Sequence, residues 1–379
     1  MRKDRTRLIL LTAVVSVALF FVLERSIIPG ISAKILSTKG QRLLENIMGL
    51  IRTDYLEERD PAKTVEGAYR GLINSLDPLS SYFNGEVTAK YLRKDPKFRD
   101  IGVVLFKTYG LFPQVRGIIK DSPAEKAGIR LGDYISAIDD RSTLAMSLAE
   151  VTIYLKDYEE KPVSLKILRD TATLTMTVER TLLFPESFTF ASLPESGHIL
   201  GIHNLFPPLT DDLKKTVLPQ VRPQNKLLVL DLRNCYEGEI EEAQKLVNLF
   251  LKIENFGYFE KKGGVKEFLS CSGEPELGKT PLAVWVNRGT QGPAELVAGV
   301  LQESKRARVI GETTPGLVAK LELYPLQDEG SILLASGVFT LSSGKKLWEQ
   351  GVTPDEKVAA DDASQAGFLK KTITRFPNP

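Results

Sequence analysis

The sequence predicts a multidomain α/β protein with an N-terminal helical region, a partly open β-barrel carrying two helices, and an α/β core. Three observations predict it. The chain has 379 residues, two to three times an ordinary domain of about 150. Its apolar residues first recur at helical spacing, then form short β runs, then alternate between strand and helix. Its composition, 42% apolar and 26% charged, is that of a globular chain and excludes disorder and low-complexity repeats. Fifty basic against 48 acidic residues leave a net charge of +2, too weak a field for a nucleic-acid partner. Two histidines (His198, His203) and two cysteines (Cys235, Cys271) are too few for a His/Cys metal site of the usual spacing. No cofactor is expected, and the scarcity of histidine counts against a histidine general base.

The elements follow in order. Residues 1–7 form a basic tail with Arg2, Lys3, Arg5 and Arg7. Residues 8–23 are apolar apart from Thr12 and Ser16 and end abruptly at Glu24 and Arg25. The run ends Phe20-Phe21-Val22-Leu23, without the small residues that a cleaved signal peptide places before its cut. An uncleaved signal anchor is expected, its N-terminus cytoplasmic by the positive-inside rule. The rest of the chain would then lie on the periplasmic or extracytoplasmic side of the inner membrane. Disulfides are allowed in that compartment. Cys235 and Cys271 read as unpaired buried thiols, with a bridge between them the alternative.

Residues 24–97 read as a helical region. Leu43, Leu44, Ile47, Met48 and Ile51 recur at three- and four-residue spacing, as do Val65, Ala68, Leu72 and Leu76. Asp77-Pro78 ends that pattern. Residues 98–182 hold β runs at Ile101–Phe106, Val115–Ile119, Tyr134–Ile138, Val163–Leu168 and Thr173–Val178. Helical stretches at Ala124–Ala127 and Ser147–Leu155 interleave with them. Residues 183–360 alternate: strand Leu227–Leu232, helix Glu239–Leu251, strand Leu282–Val286, helix Ala294–Gln302, strand Ala307–Ile310. Such alternation argues for a sheet with crossover helices. Residues 361–379 read as a helical tail.

Several motifs in order resemble the carboxyl-terminal processing (tail-specific) serine proteases, which join a helical region, a PDZ domain and a protease core. Gly67-Ala68-Tyr69-Arg70-Gly71-Leu72 and Ser75-Leu76-Asp77-Pro78 are similar to the segment before the PDZ domain. Asp100-Ile101-Gly102-Val103 resembles the loop leading into the PDZ groove, and Ser122-Pro123-Ala124-Glu125-Lys126-Ala127-Gly128-Ile129 a PDZ signature. Leu230-Asp231-Leu232-Arg233-Asn234 resembles a core strand. Val286-Asn287-Arg288-Gly289-Thr290 with Glu295-Leu296-Val297-Ala298-Gly299 resembles the turn that carries the nucleophile. Gly311-Glu312-Thr313-Thr314 and Gly351-Val352-Thr353-Pro354-Asp355 complete the series. The resemblance implies that 98–182 is a PDZ domain, with Ile101, Gly102, Val103 and Val104 at its peptide groove, and that 183–360 is a protease-like core. A PDZ domain adds an extended peptide to a sheet edge and captures its terminal carboxylate on backbone N–H groups.

The family uses a Ser–Lys dyad, and this chain departs from it. The serine position is Gly292, which has no hydroxyl and so no nucleophile. The lysine position is Leu317. The family's following glutamine is Leu321, and the glycine pair that shapes the oxyanion hole reads Glu237-Gly238. Losing one member of a nucleophile–base unit nearly abolishes its contribution. The expectation is a membrane-anchored pseudoprotease that binds peptide or protein C-termini through its PDZ domain, alone or beside an active protease paralogue or a second copy of itself. Two other readings stay open. One is an active endopeptidase with a relocated Thr290–Lys320 dyad, although a two-residue shift along a strand moves a side chain roughly 6–7 Å. The other is a structural oligomer. Plain roles suffice elsewhere: Asp231 and Arg233 in strand-end hydrogen bonding, Pro293 opening a helix, His198 and His203 partly exposed, Trp285 and Trp348 in the core.

Overall fold

Asparagine and serine caps set early helices in place. The structure, a computed structural model, describes residues 39–58, 60–93, 98–157, 160–183, 186–193, 197–221, 227–270, 272–358 and 364–375. The expected signal anchor at Leu8–Leu23 lies outside the described residues, and no described helix is long and apolar enough to cross a membrane. Contacts divide the chain into two units, one ending at Gly67 and one running from Ala68 onward. Residues 39–54 form helix α1 and Pro61–Asn74 form α2.

The helical region is not helical throughout. Ser81–Phe83 form strand β1 before helix α3 (Gly85–Leu92), whose cap Asn84 accepts from the Val87 N–H at 3.0 Å. The correction has a long-range cause. After Pro78 the chain supplies two aromatic residues, Tyr82 and Phe83, and these pair with a strand some 250 residues later. No local periodicity displays such pairing.

The barrel follows as β2 (Val103–Phe106), β3 (Gln114–Ile118), α4 (Pro123–Lys126), β4 (Tyr134–Ile138), β5 (Arg141–Ser142), α5 (Leu148–Leu155), β6 (Val163–Arg169) and β7 (Ala172–Val178). Its antiparallel order is β2-β3-β4-β6-β7, with β5 on β4 and β2 at an edge. Ser147 and Glu150 cap α5 reciprocally, at 3.1 and 3.0 Å. Val151 and Leu155 on that helix meet Ile135, Leu165 and Ile167 in the barrel interior.

The core runs through β8 (Phe188–Leu193), β9 (Gly197–Ile202), α6 (Leu209–Thr216), β10 (Leu227–Asp231), α7 (Ile240–Asn248), β11 (Gly257–Lys261) and β12 (Lys266–Leu269). It continues with β13 (Leu282–Val286), α8 (Pro293–Glu303), β14 (Arg308–Gly311), β15 (Ala319–Pro325), β16 (Ser331–Leu341), β17 (Glu356–Lys357) and α9 (Gln365–Arg375). One sheet is ordered β17-β14-β13-β10-β9-β8, parallel except for the β8 edge. Burial on both faces accounts for the unbroken apolar runs of β10 and β13. A second, antiparallel sheet was not legible beforehand: β1-β16-β11-β12, with β15 also on β16. Helix α9 packs Phe368 against Trp285, whose indole N–H donates to Thr372 at 2.9 Å. Trp285 is fully buried, whereas Trp348 is only half-buried and so not a core residue.

Candidate active site and the barrel–core seam

Strand β13 ends at Val286, and the chain turns sharply into α8. Asn287 builds the turn: its side-chain oxygen accepts from the N–H groups of Asn234 and Gly289, each at 3.0 Å. Its amide donates to the Asn234 side chain at 2.9 Å. Gly292 stands at the tip with φ +56° and ψ −122°, a strained strand-to-helix geometry that nucleophile elbows share. Only glycine adopts it without cost. Space is not the obstacle there, since a Cβ on Gly292 would meet only the Leu317 carbonyl oxygen, at 3.7 Å. Pro293 then fixes the first helical φ.

Glu295, on the first turn of α8, ties this elbow to the loop that carries Leu317. Its buried carboxylate accepts from the N–H groups of Gly292 (3.0 Å), Gly316 (2.6 Å) and Leu317 (2.7 Å), and from the Thr314 hydroxyl. Burial pushes the carboxyl up to about 7, against the pull of Thr314 and the three backbone donors. The loop is thus held against the elbow, with the Leu317 carbonyl oxygen facing Gly292. The Leu317 side chain is 5% exposed and joins the barrel's apolar cluster.

Other positions on the core side of the seam also meet the barrel. Glu237 pairs with Lys156 at the end of α5. Gln291 is 6% exposed and donates to the Leu105 carbonyl, on the outer strand β2, at 3.0 Å. Asn234 donates to the Ile118 carbonyl at 3.1 Å. A Cβ on Gly117 or Gly289 would come within 2.3–2.4 Å of the Asn234 side chain, so both glycines permit this close approach. The seam leaves a cleft of about 730 Å³. Leu105, Ala149, Thr152 and Ile153 line it from the barrel, and Gly292 and Leu317 from the core.

Ile101, Gly102, Val103 and Val104 are all buried, and Leu105 is the β2 residue that reaches the cleft. The Thr290 hydroxyl is wholly buried, donating to the Leu232 carbonyl and accepting from the Asn287 N–H, at 2.9 and 3.0 Å. Lys320 also lines the cleft, and it is not simply a solvated strand charge: its ammonium is ion-paired with Glu267 at 2.7 Å. Leu321 is 38% exposed. Cys235 is a free, buried thiol whose acidity burial suppresses strongly, while Cys271 lies outside the described residues. Arg233 grips Asp231 through two bonds of 2.8 and 2.6 Å and lies over the Trp285 ring. His198 and His203 are half-buried. Among the described residues, no group of three or more His, Cys, Asp or Glu residues could hold a metal ion.

Fold and seam together define an α/β peptidase-like core with a small β-barrel docked over its elbow. Residues 206–358 match peptidase family S41, and residues 114–169 match the PDZ domain. The chain is 29% identical to the carboxy-terminal processing protease CtpA of Bacillus subtilis over 96% of its own length and 78% of that protein's. It is also 29% identical to a carboxy-terminal-processing protease of Bartonella bacilliformis, over 82% of this chain and 73% of that one. A solved photosystem II D1 C-terminal processing protease shares the fold with a TM-score of 0.69 at 21% identity, covering 88% of this chain and 92% of that one. The chain thus joins a PDZ match to a peptidase family S41 match and is similar over most of its length to carboxy-terminal processing proteases.

Proposed function

We propose that this chain is a catalytically silent member of its family, which holds extended peptide segments in the barrel–core cleft without cutting them. One observation carries the reading. The elbow presents Gly292, without a hydroxyl, and the facing loop buries Leu317 in the barrel, so the two positions of a nucleophile–base pair hold groups that neither attack nor carry a proton. The relocated dyad has less support, because Thr290 spends its hydroxyl on the turn and Lys320 its ammonium on Glu267. Binding is supported by a cleft that runs between the exposed side of α5 and the core.

The basic tail and the apolar run from Leu8 to Leu23 favour an anchored protein working on the extracytoplasmic side of a membrane. An active protease paralogue or a second copy is a fitting partner there. The test is incubation of the purified chain with an unstructured, apolar-ended peptide, read by mass spectrometry. Intact peptide is expected. Cleavage that disappears in Thr290→Ala or Lys320→Ala overturns the silent reading and restores the relocated dyad. Gly292→Ser combined with Leu317→Lys is expected to regain at most slight cleavage, because Glu237 and Leu321 still differ from the family pattern.

A further inference from the structure

The loop Asp100–Gly102 leads into the edge strand of the barrel, and such loops take a ligand's terminal carboxylate on backbone N–H groups. Here a donor of that loop is already engaged from within. The Gly102 N–H donates to Asp100 Oδ1 at 3.1 Å. The Asp100 side chain is held on its other oxygen too, accepting from the Tyr236 hydroxyl at 3.2 Å and lying 4.0 Å from the Lys156 ammonium. Its backbone pairs with Thr181 in both directions, at 2.9 and 3.0 Å. Asp100 is 4% exposed, so the group is fixed and shielded from solvent. Lys156 gives no surplus of positive charge, because it also pairs with Glu237. A second carboxylate brought to Gly102 meets a like charge at close range, with little water to screen it.

The space beyond the loop gives a ligand no reason to end there. A cavity of about 1260 Å³ continues past Asp100 between barrel and core. It shares Tyr91, Phe98, Phe206, Tyr236 and Glu237 with the cleft over the elbow. Phe188 and Phe190 extend its apolar wall, and Glu186, Glu239 and Asp212, the last paired with Lys215 at 3.8 Å, outnumber Arg93 in its lining. Burial lowers the pKa of His203, the histidine among the lining residues, which favours its neutral form. An apolar wall beside a lining with more carboxylates than cations complements apolar and basic side chains.

We infer, resting on the binding reading proposed above, that the cleft takes an internal stretch of extended polypeptide bearing apolar and basic residues, and that Asp100 turns away a free terminal carboxylate. The experiment is fluorescence anisotropy on the full chain with one short unstructured peptide of Ala, Val, Phe and Lys, labelled at its N-terminus. It is prepared as the free acid and as the C-terminal amide, with a third version carrying Glu for Lys. The amide is expected to bind about tenfold more tightly than the acid at low salt, with the preference shrinking as salt rises. The Glu version is expected to bind more weakly than the Lys version. Asp100→Asn, checked for folding by circular dichroism, is expected to bring acid and amide close to parity. Equal or tighter binding of the acid by the unaltered chain, or a preference indifferent to salt, overturns the inference and leaves the binding reading standing. A preference that survives in folded Asp100→Asn overturns the role of Asp100. Binding of no version overturns the inference and the binding reading together.

Discussion

The elbow at Gly292 and the loop at Leu317 face one another across the same cleft, yet they have departed from the family pattern in opposite ways. At the elbow the scaffold persists and the functional group is gone: strand, Asn287 turn, proline and helix remain, with room for a side chain that is not there. At the loop the position is filled by packing, since Leu317 joins the barrel's apolar cluster. Glu237 and Gln291 resemble the loop in this respect, each making a contact to the barrel. The difference teaches that a position without a nucleophile or a base need not be an empty one. Where a neighbouring surface lies close, a freed position is drawn into packing, and where only solvent-sized space lies nearby, it stays vacant.

Leu317→Ala breaks the comparison most directly. It should destabilise the fold by about 3 kcal/mol, as truncation of a buried leucine does, measured as a shift in the urea midpoint at constant slope. A loss below about 1 kcal/mol would mean that the leucine is as idle as the glycine opposite. Gly292→Ser comes next, at about 2 kcal/mol, from the backbone conformation alone. Because the added side chain meets only a carbonyl at van der Waals distance, the crystal structure of that variant should show the elbow unmoved.

The most gradual effect concerns Glu295, which serves both regions. Its carboxyl titrates near 7 in the folded chain against an ordinary 4.5, so between those values the folded state holds a proton that the unfolded chain has released. The unfolding free energy should therefore fall as pH rises through that window, by at most about 1.4 kcal/mol per pH unit. Urea titrations at intervals across the window test this, and Glu295→Gln should flatten the slope.

Much of the barrel was legible in the sequence because its elements announce themselves locally. Ser122 and Ser147 cap their helices, and the alternating strand at Tyr134–Ile138 lies where its pattern puts it. The doubly buried strand at Leu282–Val286 was equally plain. The second sheet was not, because β1 and β15 owe their pairing to distant β16 rather than to their own periodicity. At the site, the missing hydroxyl and ammonium were visible as Gly292 and Leu317. What those positions do instead was hidden, since Leu317 acts through contacts with the barrel and Glu237 through a lysine 81 residues away. In the sequence Asp100 stands only as part of a loop. Its hold on Gly102 follows a two-residue spacing common to aspartates in turns, and that spacing was the available signal.

The pairing of Ser81 with Leu333 and of Phe83 with Ser331 bears on how the protein is born. Strand β1 leaves the ribosome early and must wait for almost the whole remaining chain before its partner exists. The barrel between them draws on mostly local pairings and can form meanwhile. Tyr82 and Phe83, both buried in the finished fold, lack their strand partner throughout that interval, when an apolar edge is most prone to pair with the wrong strand. Synthesis order thus leaves this three-residue strand without its partner until β16 is made, although it is among the first strands to be made.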